Sequence, residues 1–516
     1  MTHADPSPRR PNNRHSHSEG DAPRSAFPLS STDAQRIVIP LALTQFIASY
    51  GGSNMNVAIS NIANDLGTTT HGVQVSITLF TLTMAALMIP GSKLTDIWGR
   101  KTCFLLGLIT YVVGAIVALV SQGLPSLIVG YSLMGGVGSA LMIPPIYILL
   151  TVIFENVESR AKAFATVSAA AGLGAAAGPL IGGLITSTFS WRASFLVQVL
   201  VVGGIILATW RYPSGDIPSP KPSFDVTGAV LSALGLIFVV LGILQSGTYG
   251  WLTAKQDVVI GDIVLIGKGG ISPVWPLVAI GALFLALFFL HIRSSERKGK
   301  TPLLSTRLFR NRTSNLGLVT QNIQWLTLQG SFFVISVFLQ TERGMSAIQT
   351  GLILTASTVG ILASSGAAGR LARRFSQVSL IWFGFVLTAA GLALLLWLAD
   401  ASSPIWTFLP GLFLMGLGIG VMLTASVNVV QSSWPESDQG EISGLSRSVS
   451  NLGSSLGTAL VGSVLVSSAF PKNPNAVYAA ALIVMGAFTF AGLSAALLIR
   501  DPNTSTQKPT SGEQAP

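Results

Sequence analysis

Fourteen apolar runs, each of roughly 20 residues, recur along this chain with short polar breaks between them. A helix of that length crosses the ~30 Å hydrocarbon layer of a bilayer. The pattern predicts helices over residues 37–61, 72–92, 102–121, 126–152, 163–186, 192–210, 227–247, 274–292, 316–340, 347–369, 378–398, 405–429, 444–468 and 477–499. The expected class is an all-α polytopic membrane protein. Residues 1–35 and 501–516 are polar and rich in Pro, Ser and Asn. Too little of either can be buried to offset ordering entropy, so both are expected to be disordered tails. The first lacks the apolar core of a signal peptide. Between runs seven and eight, two β-prone tetrads flank Gly261-Asp262, which predicts a short exposed hairpin.

Composition agrees. Half of the 516 residues are hydrophobic and 10% are charged, against about 25% in an average soluble domain. The one cysteine, Cys103, excludes a disulfide framework and reads as packing. The charges set the orientation. With the N-terminus inside, 24 of the 30 Lys and Arg fall in cytoplasmic tails and loops. Five fall outside (Arg192, Lys255, Lys268, Arg343 and Lys472), and Arg447 falls within a helix. Both termini are then cytoplasmic. The net charge of +10 is explained by topology and contact with anionic lipids, with no need for nucleic acid.

The break between runs two and three reads Gly91-Ser-Lys-Leu-Thr-Asp-Ile-Trp-Gly-Arg-Lys101. Gly99 permits a tight turn, Asp96 can cap or pair at a helix end, and Arg100 and Lys101 hold that end at the inner surface. Apart from a first glycine displaced by one residue, it resembles the helix 2–3 signature of the major facilitator superfamily. Run five contains Gly174-Ala-Ala-Ala-Gly178-Pro179-Leu-Ile-Gly182-Gly183, similar to that family's antiporter motif. Its glycines at 174, 178 and 182 share one helix face and permit close approach of a neighbour, and Pro179 bends the helix. Trp191-Arg192 with Phe195, Phe224-Asp225, Leu308 to Arg312, and Gly440 to Gly457 resemble other helix boundaries of the fourteen-helix drug:proton antiporter branch. The resemblance implies two pseudo-symmetric six-helix bundles, 36–211 and 312–500, joined by two linker helices with the outer hairpin and a basic cytoplasmic loop in 212–311. Gly369 to Arg374 is a degenerate echo of the hinge with Arg373 in place of the Asp.

The same family often carries an Asp in helix 1 and an Arg in helix 4. Here Gly51 and Ser132 stand at those positions, and no acidic residue falls in the middle of a predicted helix. Proton coupling is implied by the resemblance, and these residues leave its carrier open. Polar groups near the midplane, Gln45, Asn54, Asn56, Gln321, Gln324, Trp325, Gln329 and Asn428, are the expected substrate cavity, with helix–helix hydrogen bonding as their other reading. Pro144-Pro145 is expected to break or bend helix 4. Arg447 is grouped with Asp96, Gly99, Arg100 and Lys101 as a gating hinge. Pairing with Asp96 or Glu441, contact with an anionic substrate group and snorkelling are all open to it. The expected function is export of small hydrophobic or amphiphilic compounds across the cell membrane by a monomeric rocker-switch transporter. A lipid transporter and a non-transporting receptor of the same fold are the alternatives. No cofactor, metal cluster or enzyme motif is found in the sequence.

Overall fold

The computed structural model describes residues 31–154, 157–210, 223–260, 263–435, 438–466 and 473–499. These form fourteen long helices and one small hairpin. Helix α1 (Ser31–Ser53) passes through a 3-10 turn, Asn54–Ala58, into a short helix, Ile59–Asp65. Then come α2 (Thr70–Trp98), α3 (Arg100–Leu119), α4 (Leu124–Leu127, Ile128–Met134 and Gly135–Ile153 in succession), α5 (Val157–Thr188) and α6 (Trp191–Trp210). The linker helices are α7 (Val226–Tyr249) and α8 (Val274–Arg297). The rest are α9 (Arg312–Glu342), α10 (Ala347–Leu371), α11 (Gln377–Leu398), α12 (Ile405–Ser432), α13 (Gln439–Val466) and α14 (Pro474–Leu497). Thirteen of them are long and apolar enough to cross a membrane. The chain is a multi-pass membrane protein.

Contacts repeat between the two halves. In the first half α1 packs on α5 and α6, α4 on α2 and α3, and α3 on α6. In the second, α9 packs on α13 and α14, α12 on α10 and α11, and α11 on α14. Adding eight to each helix number of the first set gives the second, as a two-fold relation requires. The halves meet along two equivalent seams, α2 with α13 and α5 with α10. Linker helix α7 lies across the first seam, touching both α2 and α13, and α8 packs on α7.

Two expectations are corrected. Helix α1 starts at Ser31, so residues 31–35 are helical rather than tail. Ser31, Thr32 and Asp33 are residue types that favour helix starts. The rest of the two tails lies outside the described residues. Pro144 and Pro145 do not break α4, because helix Gly135–Ile153 runs through both. The irregular stretch is a π-helical turn upstream, Ile128–Met134. The prolines act locally instead. Pro144 has no N–H, so it offers no donor to the carbonyl of Ala140 one turn earlier. Gly91 of α2 packs flush on that same carbonyl, where a Cβ would collide. The displaced glycine of the hinge thus has its own steric reason. The hairpin is present: β1 (Val258–Ile260) pairs antiparallel with β2 (Ile263–Ile266), with a register irregularity at Val258/Val259. Its turn, Gly261-Asp262, lies outside the described residues.

Candidate functional site

The site is built where the halves face each other. One end of the bundle carries Lys93, Arg100, Lys101, Arg307 and Arg370 to Arg374, and is called here the basic end; the other is the far end. At the basic end, Gly99 takes a left-handed backbone (φ 93°) that only glycine adopts freely, letting α2 turn directly into α3. The latch across the halves is Lys93 Nζ to Glu441 Oε1, 2.6 Å. The second carboxylate oxygen of Glu441 accepts the backbone N–H of Ser305 at 3.2 Å, tying the loop before α9 into the same junction. Asp96 is exposed, with Lys93, Arg100 and Glu441 within electrostatic reach. Arg447 is not part of this hinge.

The far end is closed by hydrogen bonds to backbone. Gln340 of α9 donates to the carbonyl of Asn56 (3.0 Å) and accepts from the N–H of Ser60 (3.1 Å). It therefore reads the 3-10 turn of α1, whose tighter winding leaves these groups free of the regular helical ladder. Gln74 of α2 donates to the carbonyl of Thr458 on α13 (2.9 Å) and is itself held by His71 Nδ1 (2.9 Å). Ser187 of α5 accepts from the N–H of Ile348 at 2.9 Å. Beside this seal a cleft of about 420 Å³ is lined by His71, Phe338, Glu342 and Tyr478.

The antiporter-motif residues sit on two surfaces. Gly174, Gly178 and Gly182 face α1, where added Cβ atoms would strike Phe46, Ser53 and Asn54. Gly183 faces the other half, against the backbone of Ala347, and Gly351 of α10 packs in turn on the carbonyl of Pro179. Thr358 of α10 donates to the carbonyl of Ala176. A Cβ on Gly172 of α5 or Gly366 of α10 would by contrast meet nothing within 4 Å. The second half carries its own copy of the α5 seam. Gly453 and Gly457 of α13 pack on the carbonyls of Asn322 and Leu326 of α9.

Between the two closures lies a central cavity of about 70 Å³. Ligand pockets for drug-sized molecules run to roughly 300–1,000 Å³, so this is a closed form with room for little more than solvent. Of the eight predicted cavity residues, Gln45, Trp325 and Gln329 line it. Gln329 also donates across the halves to the carbonyl of Gly52, 3.2 Å. Gln321 accepts from Ser446 (2.8 Å) and Gln324 from Ser426 (3.0 Å), so these two join helices within the second half. At 100° per residue Gln321, Gln324, Trp325 and Gln329 span an arc of about 140° on α9, wide enough for its two edges to meet different neighbours. Asn54 and Asn56 are buried in the 3-10 turn, away from the cavity wall, and Asn428 is exposed.

Residues missed from the sequence share the lining, among them Phe80, Met84, Met88, Phe332, Ser450, Asn451 and Ser454. The polar ones had a signal. Arg447, Ser450, Asn451 and Ser454 recur at i, i+3, i+4 and i+7, the spacing of one helix face. Arg447 lines the cavity itself. Its guanidinium lies 4.9 Å from the Tyr147 ring centroid and donates to the Tyr147 hydroxyl, which in turn donates to Gln45 Oε1 at 3.3 Å. The two positions that carry charge in the resembling family are neutral here. Gly51 leaves room for the Tyr111 hydroxyl, which donates to Gln198 at 2.5 Å, and Ser132 donates to the carbonyl of Ser76 at 2.7 Å.

The family model described as Major Facilitator Superfamily matches residues 41–309 and 317–516. Among curated relatives, the tetracenomycin C resistance and export protein of Streptomyces glaucescens is 30% identical over 420 residues, 80% of this chain and 72% of the relative. The probable actinorhodin transporter of Streptomyces coelicolor is 28% identical, covering 80% of this chain and 69% of its own. The methylenomycin A resistance protein of Bacillus subtilis is 26% identical, covering 85% and 89%. Among solved structures, a peptide transporter superposes with TM-score 0.62 at 16% identity, over 90% of this chain and 95% of that one. At that identity the likeness speaks for the fold.

Proposed function

Since this chain belongs to the major facilitator superfamily, a family of transporters rather than enzymes, we propose that it exports small amphiphilic compounds by alternating access between its two halves. The observation that carries this is the central cavity, closed at both ends by different contacts between the halves. Lys93–Glu441 holds the basic end, and Gln340, Gln74 and Ser187 hold the far end. Breaking one set while keeping the other would open the cavity to one side at a time. Its wall combines aromatic and sulfur-bearing side chains with amides and hydroxyls, which suits a molecule with an apolar body and a polar head. The drug and antibiotic resistance relatives support the same reading. The distribution of Lys and Arg supports a plasma-membrane protein with both termini and the basic end in the cytoplasm.

The test is export in cells. Expression in a bacterial strain stripped of its own efflux pumps should lower accumulation of a panel of aromatic antibiotics and dyes. A Gln329→Leu, Trp325→Ala double variant should abolish that protection at equal membrane abundance. Unchanged accumulation of the whole panel by abundant protein would reject the export reading.

A further inference from the structure

The central cavity has a charge of one sign. Among its lining residues Arg447 is the single ionisable side chain of acid or base character, and Asp and Glu are absent from the wall. A guanidinium does not give up its proton in a protein, so this positive charge is permanent. Arg447 lies eight residues into α13, about 12 Å from its start at 1.5 Å per residue, well into the bundle. There it is held by a neutral hydroxyl and an aromatic face, and among the described residues it makes no ion pair with a carboxylate. Both contacts orient the group and neither cancels its charge. Among the described acidic residues at the basic end of this seam, Glu441 receives Lys93 and Ser305, and Asp96 is exposed among the basic residues of the hinge. An uncompensated cation in the membrane interior is costly, and a group that persists there marks a function.

We propose that Arg447 is the counter-charge for an acidic substrate: the cavity takes an aromatic amphiphile with an anionic head, head on Arg447 and Asn451, apolar body against Phe80, Trp325 and Phe332. The inference rests on the export reading and names its substrate class. It also accounts for the neutral residues at Gly51 and Ser132. A cell interior is electrically negative, so the membrane potential itself drives an anion outward. The loaded site is neutral and crosses without electrical work. The empty site carries the charge of Arg447 back toward the negative side, and this is the step that runs downhill. One negative charge leaves per cycle, and no group in the membrane has to take up or release a proton.

The experiment uses the full-length protein in lipid and three naphthalene compounds that differ in the head group: naphthalene-2-sulfonate, 2-naphthylmethanol and a 2-naphthylmethyl-trimethylammonium salt. Binding is read as the rise in thermal midpoint with ligand. The sulfonate should stabilise at concentrations at least tenfold lower than the alcohol or the ammonium. Arg447→Gln should erase that preference, and Arg447→Lys should retain part of it. Equal stabilisation by all three, a preference for the cation, or an anion preference that survives Arg447→Gln would overturn the proposal and leave export standing. Stabilisation by none of the three would reject the cavity as a site for aromatic amphiphiles, and the export reading with it. In proteoliposomes, a potassium diffusion potential should concentrate the sulfonate on the positive side. The expected gradient is about tenfold per ~60 mV, from 1.4 kcal/mol per decade and 2.3 kcal/mol per charge per 100 mV. A pH gradient alone should do nothing. Sulfonate flux that follows the pH gradient and ignores the potential would refute the uniport cycle.

Discussion

At the scale of single residues, Gly91 shows how a departure from a motif can be a fit to a neighbour. Its Cα rests on the carbonyl that Pro144 deprives of a donor, and a methyl group there would meet backbone that cannot rotate away. Gly91→Ala is expected to lower stability by about 1–3 kcal/mol, the usual cost of overpacking a fitted interior, read as a fall in thermal midpoint in detergent. An unchanged midpoint would show that α2 and α4 slide apart freely. Asp225 illustrates a different residue-level device, at the mouth of the linker pair. It caps α7 through the Gly228 N–H (2.9 Å), meets His291 Nε2 (2.8 Å) and accepts from the Leu303 N–H (3.1 Å). Burial alone would raise its pKa, but these partners outweigh burial and hold the carboxyl below its ordinary value. The folded form therefore keeps the charge to lower pH than the unfolded chain. The stabilisation is full above the usual carboxylate range, about pH 4, and is lost as pH falls through the depressed value. Between about pH 5 and pH 3, wild-type protein should lose more thermal stability than Asp225→Asn, which has no charge to lose. Parallel curves for the two would exclude Asp225 as an acid-sensitive tie.

At the scale of helices, the apolar runs predicted all fourteen elements because a length near 20 residues and a near absence of charge leave one solution in lipid. The interruptions were harder to read. The 3-10 turn at Asn54–Ala58 has no proline, and its reason lies in Gln340 on another helix, 280 or more positions away. The small-residue seams were half legible. Gly174, Gly178 and Gly182 stood out as a packing face by their motif, while the stretch Gly440 to Gly457 was legible only as a helix boundary, and Gly453 and Gly457 within it play the equivalent packing part on α9. The structure sorts these glycines from others that look alike in sequence. Gly457→Leu and Gly178→Leu should both abolish transport, since each side chain would drive into a packed neighbour across the seam. Gly366→Ala should leave transport intact and shift stability by less than about 1 kcal/mol, because its Cβ enters open space and alanine favours the helix. Transport rates and thermal midpoints of the three variants, measured side by side, separate packing glycines from incidental ones.

At the scale of the whole molecule, the two-fold plan followed from the sequence, but the partners within it did not. Arg447 was grouped with the hinge because a lone charge in a helix invites an acidic partner. The register of α13 on α2 gives that acid, Glu441, to Lys93 instead and turns Arg447 inward. Such pairings depend on how two helices from opposite halves are set against each other, which no local pattern encodes. The same register makes alternating access testable. If the far end must open for release, then fixing α5 to α10 there stops the cycle whatever the substrate is. Ser187 and Ile348 are suited to this, with the Ser187 hydroxyl 2.9 Å from the Ile348 backbone nitrogen. The native Cys103 is buried in α3 and offers little background reactivity. A Ser187→Cys, Ile348→Cys protein should lose at least tenfold in transport rate once oxidised and recover it on reduction, while either single variant stays active under both conditions. Full transport by a verified cross-linked protein would mean that the far end does not part between α5 and α10, and release would then have to run through the α2–α13 seam beneath linker helix α7.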